Sequence, residues 1–227
     1  MDGETSAPSV SHYEYVMPDR HQNTQLKRQS FTYMSQLGGW CSEDKAGILI
    51  DLIVKYKPQV IVEIGVWGGK SLVPMANALR ANGSGKIYGI DPWDNQESIK
   101  EIMNEANLEF WNRADHNSIL DKLNKRIRRF GLQEQIALWR CTSEQASPIY
   151  NIDMLHIDGN HSEKTSFFDV TKWAPLVKSG GFIIFDDINW CENGALTTDR
   201  AVQWLDEHCI KVGEFTDSCV WGIWIKS

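Results

Sequence analysis

Short apolar runs alternate along this chain with longer stretches of helical periodicity. Val60–Ile64 is a β-branched run interrupted only by Glu63, which predicts a buried strand. GVWGGKSLVPMANAL follows as a tight glycine turn and a helix. Lys86–Ile90 predicts a second strand ending at Asp91, and Gln135–Trp139 a third. Met154–Ile157 and Phe182–Phe185 predict a fourth and fifth, ending in Asp158 and in the pair Asp186–Asp187. Between them Phe167, Phe168, Val170, Trp173 and Leu176 recur at helical spacing, and Ser179-Gly180-Gly181 supplies the stop. Ser118–Phe130, closed by Gly131, and Thr198–His208 predict further helices, and Cys141-Thr142-Ser143 opens a short one. Val212–Phe215 and Val220–Ile225 predict a closing hairpin.

A strand–helix–strand crossover makes its strands parallel and its connection right-handed. The expected fold is therefore α/β: a Rossmann-like, doubly wound, mostly parallel seven-stranded sheet with an antiparallel C-terminal hairpin and helices on both faces. Residues 1–24 are polar and aperiodic and read as a flexible arm; 25–227 form one domain. Gln25 to Tyr56 holds two helical patterns separated by Gly38-Gly39-Trp40-Cys41, with Ser42 capping the second. These helices either cover a ligand or pack against the sheet edge. The segment 92–117 is too long for an ordinary loop and reads as a short helix or an acceptor-side lid.

Composition narrows the choice of partners. A chain of 227 residues, 42% hydrophobic and with ten tryptophans, has the means to build a sizeable core. The net charge of −7 argues against a nucleic-acid surface, and the basic run Lys122, Lys125, Arg126, Arg128 and Arg129 reads as a solvated helix face. Five scattered cysteines without CxxC or zinc spacing fit a reduced compartment. No apolar run reaches the ~20 residues a membrane span needs, and the first residues lack a signal-peptide pattern, so the expected location is cytoplasmic. The closing hairpin and the tryptophans leave room for a homodimer face.

Ligands of open parallel sheets sit outside the carboxyl ends of the strands. Asp158, Asp186 and Asp187 would project there together, with His161 one short loop away. Three acids in one crevice repel one another unless a cation or a cationic ligand lies among them. The glycine turn excludes two nucleotide motifs. A P-loop would need glycine where Ile64 stands, and the dinucleotide fingerprint would need it at Trp67. What remains is Glu63 at a strand end, Gly65, and Asp91 about 26 residues beyond, placed to accept both ribose hydroxyls of a nucleoside. Without a pyrophosphate cradle the ligand is a phosphate-free nucleoside. S-adenosylmethionine (SAM), cationic at sulfur and amine, suits an acid-lined crevice.

VEIGVWGGKSL and IYGIDPW resemble the first two motifs of class I SAM-dependent methyltransferases. IDMLHIDGNHS and GGFIIFDDINW are similar to later motifs of the metal-dependent O-methyltransferases, the catechol and caffeoyl-CoA enzymes among them, and most of all to the macrocin O-methyltransferase group. The resemblance covers about Val60 to Trp190 and leaves out the N-terminal arm and the 92–117 insert. It implies that Gly65, Trp67 and Ser71 lie along the methionine part and ribose of SAM, with Glu63 supporting the turn. Asp91 would hold the ribose, and Cys141, Thr142 and Ser143 would border the adenine. Asp158, serving cofactor and catalysis, would join Asp186 and Asp187 as ligands of Mg²⁺ or another divalent cation. His161 would be the base that takes the proton of an attacking hydroxyl. His156, inside its strand, reads as a satisfied core histidine.

The resulting expectation is Mg²⁺-dependent O-methylation of a small-molecule hydroxyl, on a sugar or natural-product-like acceptor. Three alternatives stay open: a metal-independent methyltransferase with structural aspartates, a non-catalytic SAM-binding protein, and a hydroxylase-like relative. No two-histidine-one-carboxylate spacing supports the last.

Overall fold

A computed structural model describes residues 23–101 and 104–227, so residues 1–22 of the expected arm lie outside it. Its centre is a seven-stranded sheet formed by β1 (Val60–Ile64), β2 (Lys86–Asp91), β3 (Ile136–Arg140), β4 (Ile152–Ile157), β5 (Val177–Phe185), β8 (Cys209–Thr216) and β9 (Val220–Lys226). A two-residue pair, β6 (Cys191–Glu192) and β7 (Ala195–Leu196), stands apart from it. The sheet order is β3-β2-β1-β4-β5-β9-β8. The first five strands are parallel, and β9 joins β5 antiparallel. The order reverses between β1 and β4, which opens the crevice that such sheets use for ligands.

Alternation along the strands divides the core in two. Ile61, Met154, Phe182 and Ile184 face α2 (Glu43–Tyr56), α3 (Leu72–Asn82) and α6 (His116–Phe130). Val62, Leu155, Ile183 and Phe185 face α7 (Glu163–Trp173) and α8 (Asp199–His208). α1 (Thr24–Met34) packs outside α3. Helices thus cover both faces, as the periodicity required.

The 92–117 segment contains α4 (Asn95–Ser98), α5 (Glu105–Arg113) and the first two residues of α6. Asp94, Asn104 and Asp115 cap these helices through their side chains. The loop Gly38–Cys41 reaches the crevice while α2 packs on α3, so the N-terminal helices both flank the ligand region and cover the sheet.

Two local expectations need correction. The helix after β4 ends at Trp173 rather than at Ser179-Gly180-Gly181, because the Ala174–Leu176 3₁₀ turn contains Pro175, which has no N–H to continue an α-helix. Those glycines lie within β5, beside a register shift against β4. Cys141-Thr142-Ser143 opens a single turn rather than a helix. Ala146 N–H donates to Thr142 carbonyl at 3.0 Å, and Thr142 Oγ1 accepts from Gln145 N–H at 3.1 Å.

Candidate active site

The carboxyl ends of β1, β2, β4 and β5 surround a cleft of about 960 Å³. Gly65, Trp67, Ser71 and Asp91 line one side of it, and Asp158, His161, Asp186 and Asp187 the other. Thr142 and Ser143 border it as well. Cys141 packs with the second core cluster, and Glu63 is fully buried beneath the floor.

The glycine turn is held by β2. Asp91 Oδ2 accepts Val66 N–H at 3.0 Å and Trp67 N–H at 2.8 Å, and Oδ1 accepts Trp93 N–H at 2.7 Å. Burial raises the Asp91 pKa, and these backbone donors oppose the rise. Trp67 sits at φ 50°, an unusual conformation for a bulky residue. Its carbonyl is pinned by Trp93 Nε1–H at 2.9 Å. Gly65 at φ 84° packs so tightly that a Cβ there would lie 1.9 Å from the Asp158 carbonyl oxygen. The two arms of the switch point touch backbone to backbone, so only glycine fits.

Trp67 projects into a group of aromatic rings at the mouth. Its ring centroid lies 4.9 Å from Trp111, 6.1 Å from Trp40 and 5.3 Å from His116. His116 is buried, yet neither ring nitrogen has a hydrogen-bond partner among the described residues, and the side chain lines the cleft. Burial lowers its pKa and favours the neutral ring. Trp190 also lines the cleft, 5.2 Å from His161 between ring centroids, whereas Trp93 belongs to the core.

Beneath the acids lies a polar row that the strand register creates. Glu63 pairs with His156 across β1 and β4, and both point to the α2 face of the sheet. Asp186 continues the same face one residue past β5. His156 Nδ1 is 2.9 Å from Glu63 Oε1, which Ser71 Oγ–H also donates to. His156 Nε2 is 3.0 Å from Lys45 Nζ and 3.4 Å from Asp186 Oδ1. Nδ1–H faces Glu63, and Nε2 lies between an ammonium and a carboxylate. Burial and the Lys45 charge oppose protonation of the ring, but the Asp186 charge and the hydrogen bonds to Asp186 and Glu63 prevail and raise its pKa to about 9. Lys45, almost wholly buried, pairs directly with Asp186 Oδ2. Burial opposes a charge on Asp186, but the Lys45 ammonium and His156 outweigh it and hold the carboxyl below the usual range.

Asp187 faces elsewhere. At φ 51° it turns the chain, which aspartate tolerates better than most residues. Its Oδ2 meets His161 Nε2 at 3.0 Å, with Asp158 Oδ1 at 3.8 Å from the same nitrogen. Burial would lower the His161 pKa, but the Asp187 hydrogen bond prevails and raises it. Enclosure and the Asp186 charge push Asp158 well above the usual carboxylate range. The expected acid trio thus forms two overlapping groups with ligand atoms within 4.8 Å: His156, Asp158 and Asp186 inside, Asp158, His161 and Asp187 outside. The outer group, two carboxylates and an imidazole opening on the cleft, suits a hard divalent cation. The inner one already holds an ammonium.

Residues 62–188 match the family described as methyltransferase domain. This chain belongs to that family. Among similar proteins, the demethyldecarbamoylnovobiocin O-methyltransferase of Streptomyces niveus is 28% identical over 62% of this chain and 57% of its own length. An 8-demethyl-8-(2,3-dimethoxy-alpha-L-rhamnosyl)-tetracenomycin-C 4'-O-methyltransferase of Streptomyces olivaceus is 25% identical over 57% of this chain and 53% of its own. The chain therefore spans about half the length of the curated relatives it matches. In fold, this methyltransferase domain is similar to the tomaymycin-synthesis O-methyltransferase of Streptomyces achromogenes, solved with SAM. The TM-score is 0.61 and the identity 14%, over 89% of this chain and 90% of that one. It is also similar to a Bacillus cereus O-methyltransferase solved with S-adenosylhomocysteine, at TM-score 0.59 and 15% identity over 89% and 91%.

Sequence reasoning overlooked Lys45, His116, Trp40 and Asp169. Lys45 left a trace, since it shares the apolar stripe of α2 with Leu49 and Leu52, where a lysine is out of place. Asp169 is buried on α7, lines the cleft and accepts a hydrogen bond from Ser143 Oγ–H; burial lifts its pKa to about 7 against that bond. His116 and Trp40 left no signal. Among the described residues, no helix is long and apolar enough to cross a membrane.

Proposed function

We propose that this chain transfers a methyl group from S-adenosylmethionine to a hydroxyl oxygen of a small molecule, aided by Mg²⁺ or a similar divalent cation. The observation that carries this reading is that one cleft brings the Asp91-held glycine turn together with Asp158, Asp187 and His161. Relatives named as O-methyltransferases of a novobiocin derivative and of a rhamnosyl tetracenomycin favour a natural-product acceptor.

In this reading Asp91 and the turn bind the nucleoside, Thr142 and Ser143 border its base, and Ser71 lies toward the methionine end. The sulfonium would supply an electrophilic methyl carbon, and the cation a positive charge beside the acceptor oxygen. Asp158 and Asp187 would hold that cation. His161 would take the hydroxyl proton on the ring nitrogen that Asp187 leaves free, while the carboxylates beside Nε2, Asp187 at 3.0 Å and Asp158 at 3.8 Å, would stabilise the resulting imidazolium. The aromatic mouth keeps water away and presses the acceptor toward the methyl donor, where alignment provides most of the rate.

Calorimetric titration with S-adenosylhomocysteine, followed by methyl-transfer assays on catechols and glycosides with Mg²⁺ or EDTA, tests the reading. Saturable binding and EDTA-sensitive transfer are expected. No nucleoside binding would sink it. A metal-independent transferase is the second reading, favoured by the ammonium already paired with Asp186; transfer that persists in EDTA would select it.

A further inference from the structure

We propose that the Lys45 ammonium is a built-in counter-cation that keeps Asp186 out of the metal site, leaving a cation to be held by Asp158 and Asp187 alone. The inference rests on the methyl-transfer reading of the cleft and concerns what holds its acids in place.

Asp186 lies on the α2-facing side of the sheet, in line with Glu63 and His156. Each of these polar groups would be costly there without a partner. Ser42 starts α2 at a set point, its Oγ accepting Lys45 N–H at 3.0 Å. The next residues in the stripe, Leu49 and Leu52, are fully packed in the core. Lys45 is thereby directed onto the polar row, and its side chain is only 1% exposed. Nζ meets Asp186 Oδ2 and, at 3.0 Å, His156 Nε2. A divalent ion in the inner group would sit against this buried ammonium. Asp187, turned outward, makes no such contact with Lys45 and remains with Asp158 at the cleft. The acids are consequently neutralised from within, and the fold does not need a metal to hold them.

Mn²⁺ alone is the probe, titrated by calorimetry into wild type, Lys45→Met/Asp186→Asn and Asp187→Asn. The double variant removes an ion pair without changing net charge and replaces each side chain by one of similar length. It should keep the wild-type Mn²⁺ affinity within about threefold, whereas Asp187→Asn should lose at least about tenfold. Wild type stripped of metal should still melt in one cooperative transition, because Lys45 neutralises Asp186 without a metal. A tenfold loss in the double variant, or loss of the cooperative melt in metal-free wild type, overturns the proposal. Absence of Mn²⁺ binding in all three proteins overturns it too. S-adenosylhomocysteine titrated into the same samples reports separately on the methyl-transfer reading. The wild-type melting experiment stands even if a variant fails to fold.

Discussion

The Asp91 carboxylate accepts the Trp67 N–H at 2.8 Å and so joins the end of β2 to the glycine turn after β1. The same carboxylate takes two further backbone donors, from Val66 and Trp93. An acid expected to meet only a ribose is also the fastener of the turn that shapes the cleft. Asp91→Ala should therefore weaken S-adenosylhomocysteine binding by more than about tenfold and lower stability by about 1–3 kcal/mol. Calorimetry and chemical denaturation check the two effects. Unchanged stability would show that the turn holds without it.

Gly65→Ala places a methyl group 1.9 Å from the Asp158 carbonyl oxygen, on backbone that already has φ 84°. Neither strand end has a flexible side chain to move aside. Destabilisation of about 3 kcal/mol or more is expected, with loss of nucleoside binding. Denaturant midpoints equal to wild type would contradict the close approach.

His116→Phe should separate binding from stability. The ring shape is kept and two unpartnered buried nitrogens are removed, so the melting temperature should hold or rise. Nucleoside or acceptor affinity should fall by about tenfold if the imidazole meets the ligand in the cleft. The lowered pKa of His116 keeps the ring neutral, so the wild-type contact should not vary between pH 7 and 8. Identical affinities in both proteins would exclude a contact.

Asp169 offers a pH test away from the acids at the cleft mouth. Burial lifts its folded-state pKa to about 7, well above the ordinary carboxylate range. A buried acid raised in this way binds more protons folded than unfolded. Its contribution is therefore fully favourable below pH 4 and is lost as pH rises toward 7. Asp169→Asn keeps the hydrogen-bonding shape and removes the charge. The variant should gain on wild type by a few kcal/mol between pH 4 and pH 7, then run parallel to it. Melting curves across that range measure the difference, and a constant offset would refute the shift.

Much of this protein was legible in its residue pattern. Continuous apolar runs such as Val60–Ile64 mark strands buried on both faces, and the stripe of α6 marks its helix, because local periodicity reports which face meets the core. The acids at strand ends were visible for the same reason, since Asp91, Asp158 and Asp186–Asp187 each terminate an apolar run. The proline-bearing turn at Ala174–Leu176 was passed over in favour of the more conspicuous glycines, although Pro175 stops the helix first.

By itself, then, the sequence determined the strands, the parallel crossovers and the acids placed at the strand ends. The tertiary structure decided how those acids divide. Asp186 and Asp187 are neighbours in the chain, but one follows the pleat inward to Lys45 and the other turns at φ 51° toward His161. Lys45 and Asp186 are 141 residues apart, and His116 reaches Trp67 from a different helix. Periodicity acts over one or two turns of chain, whereas pairing of buried charges depends on which faces the sheet order brings together.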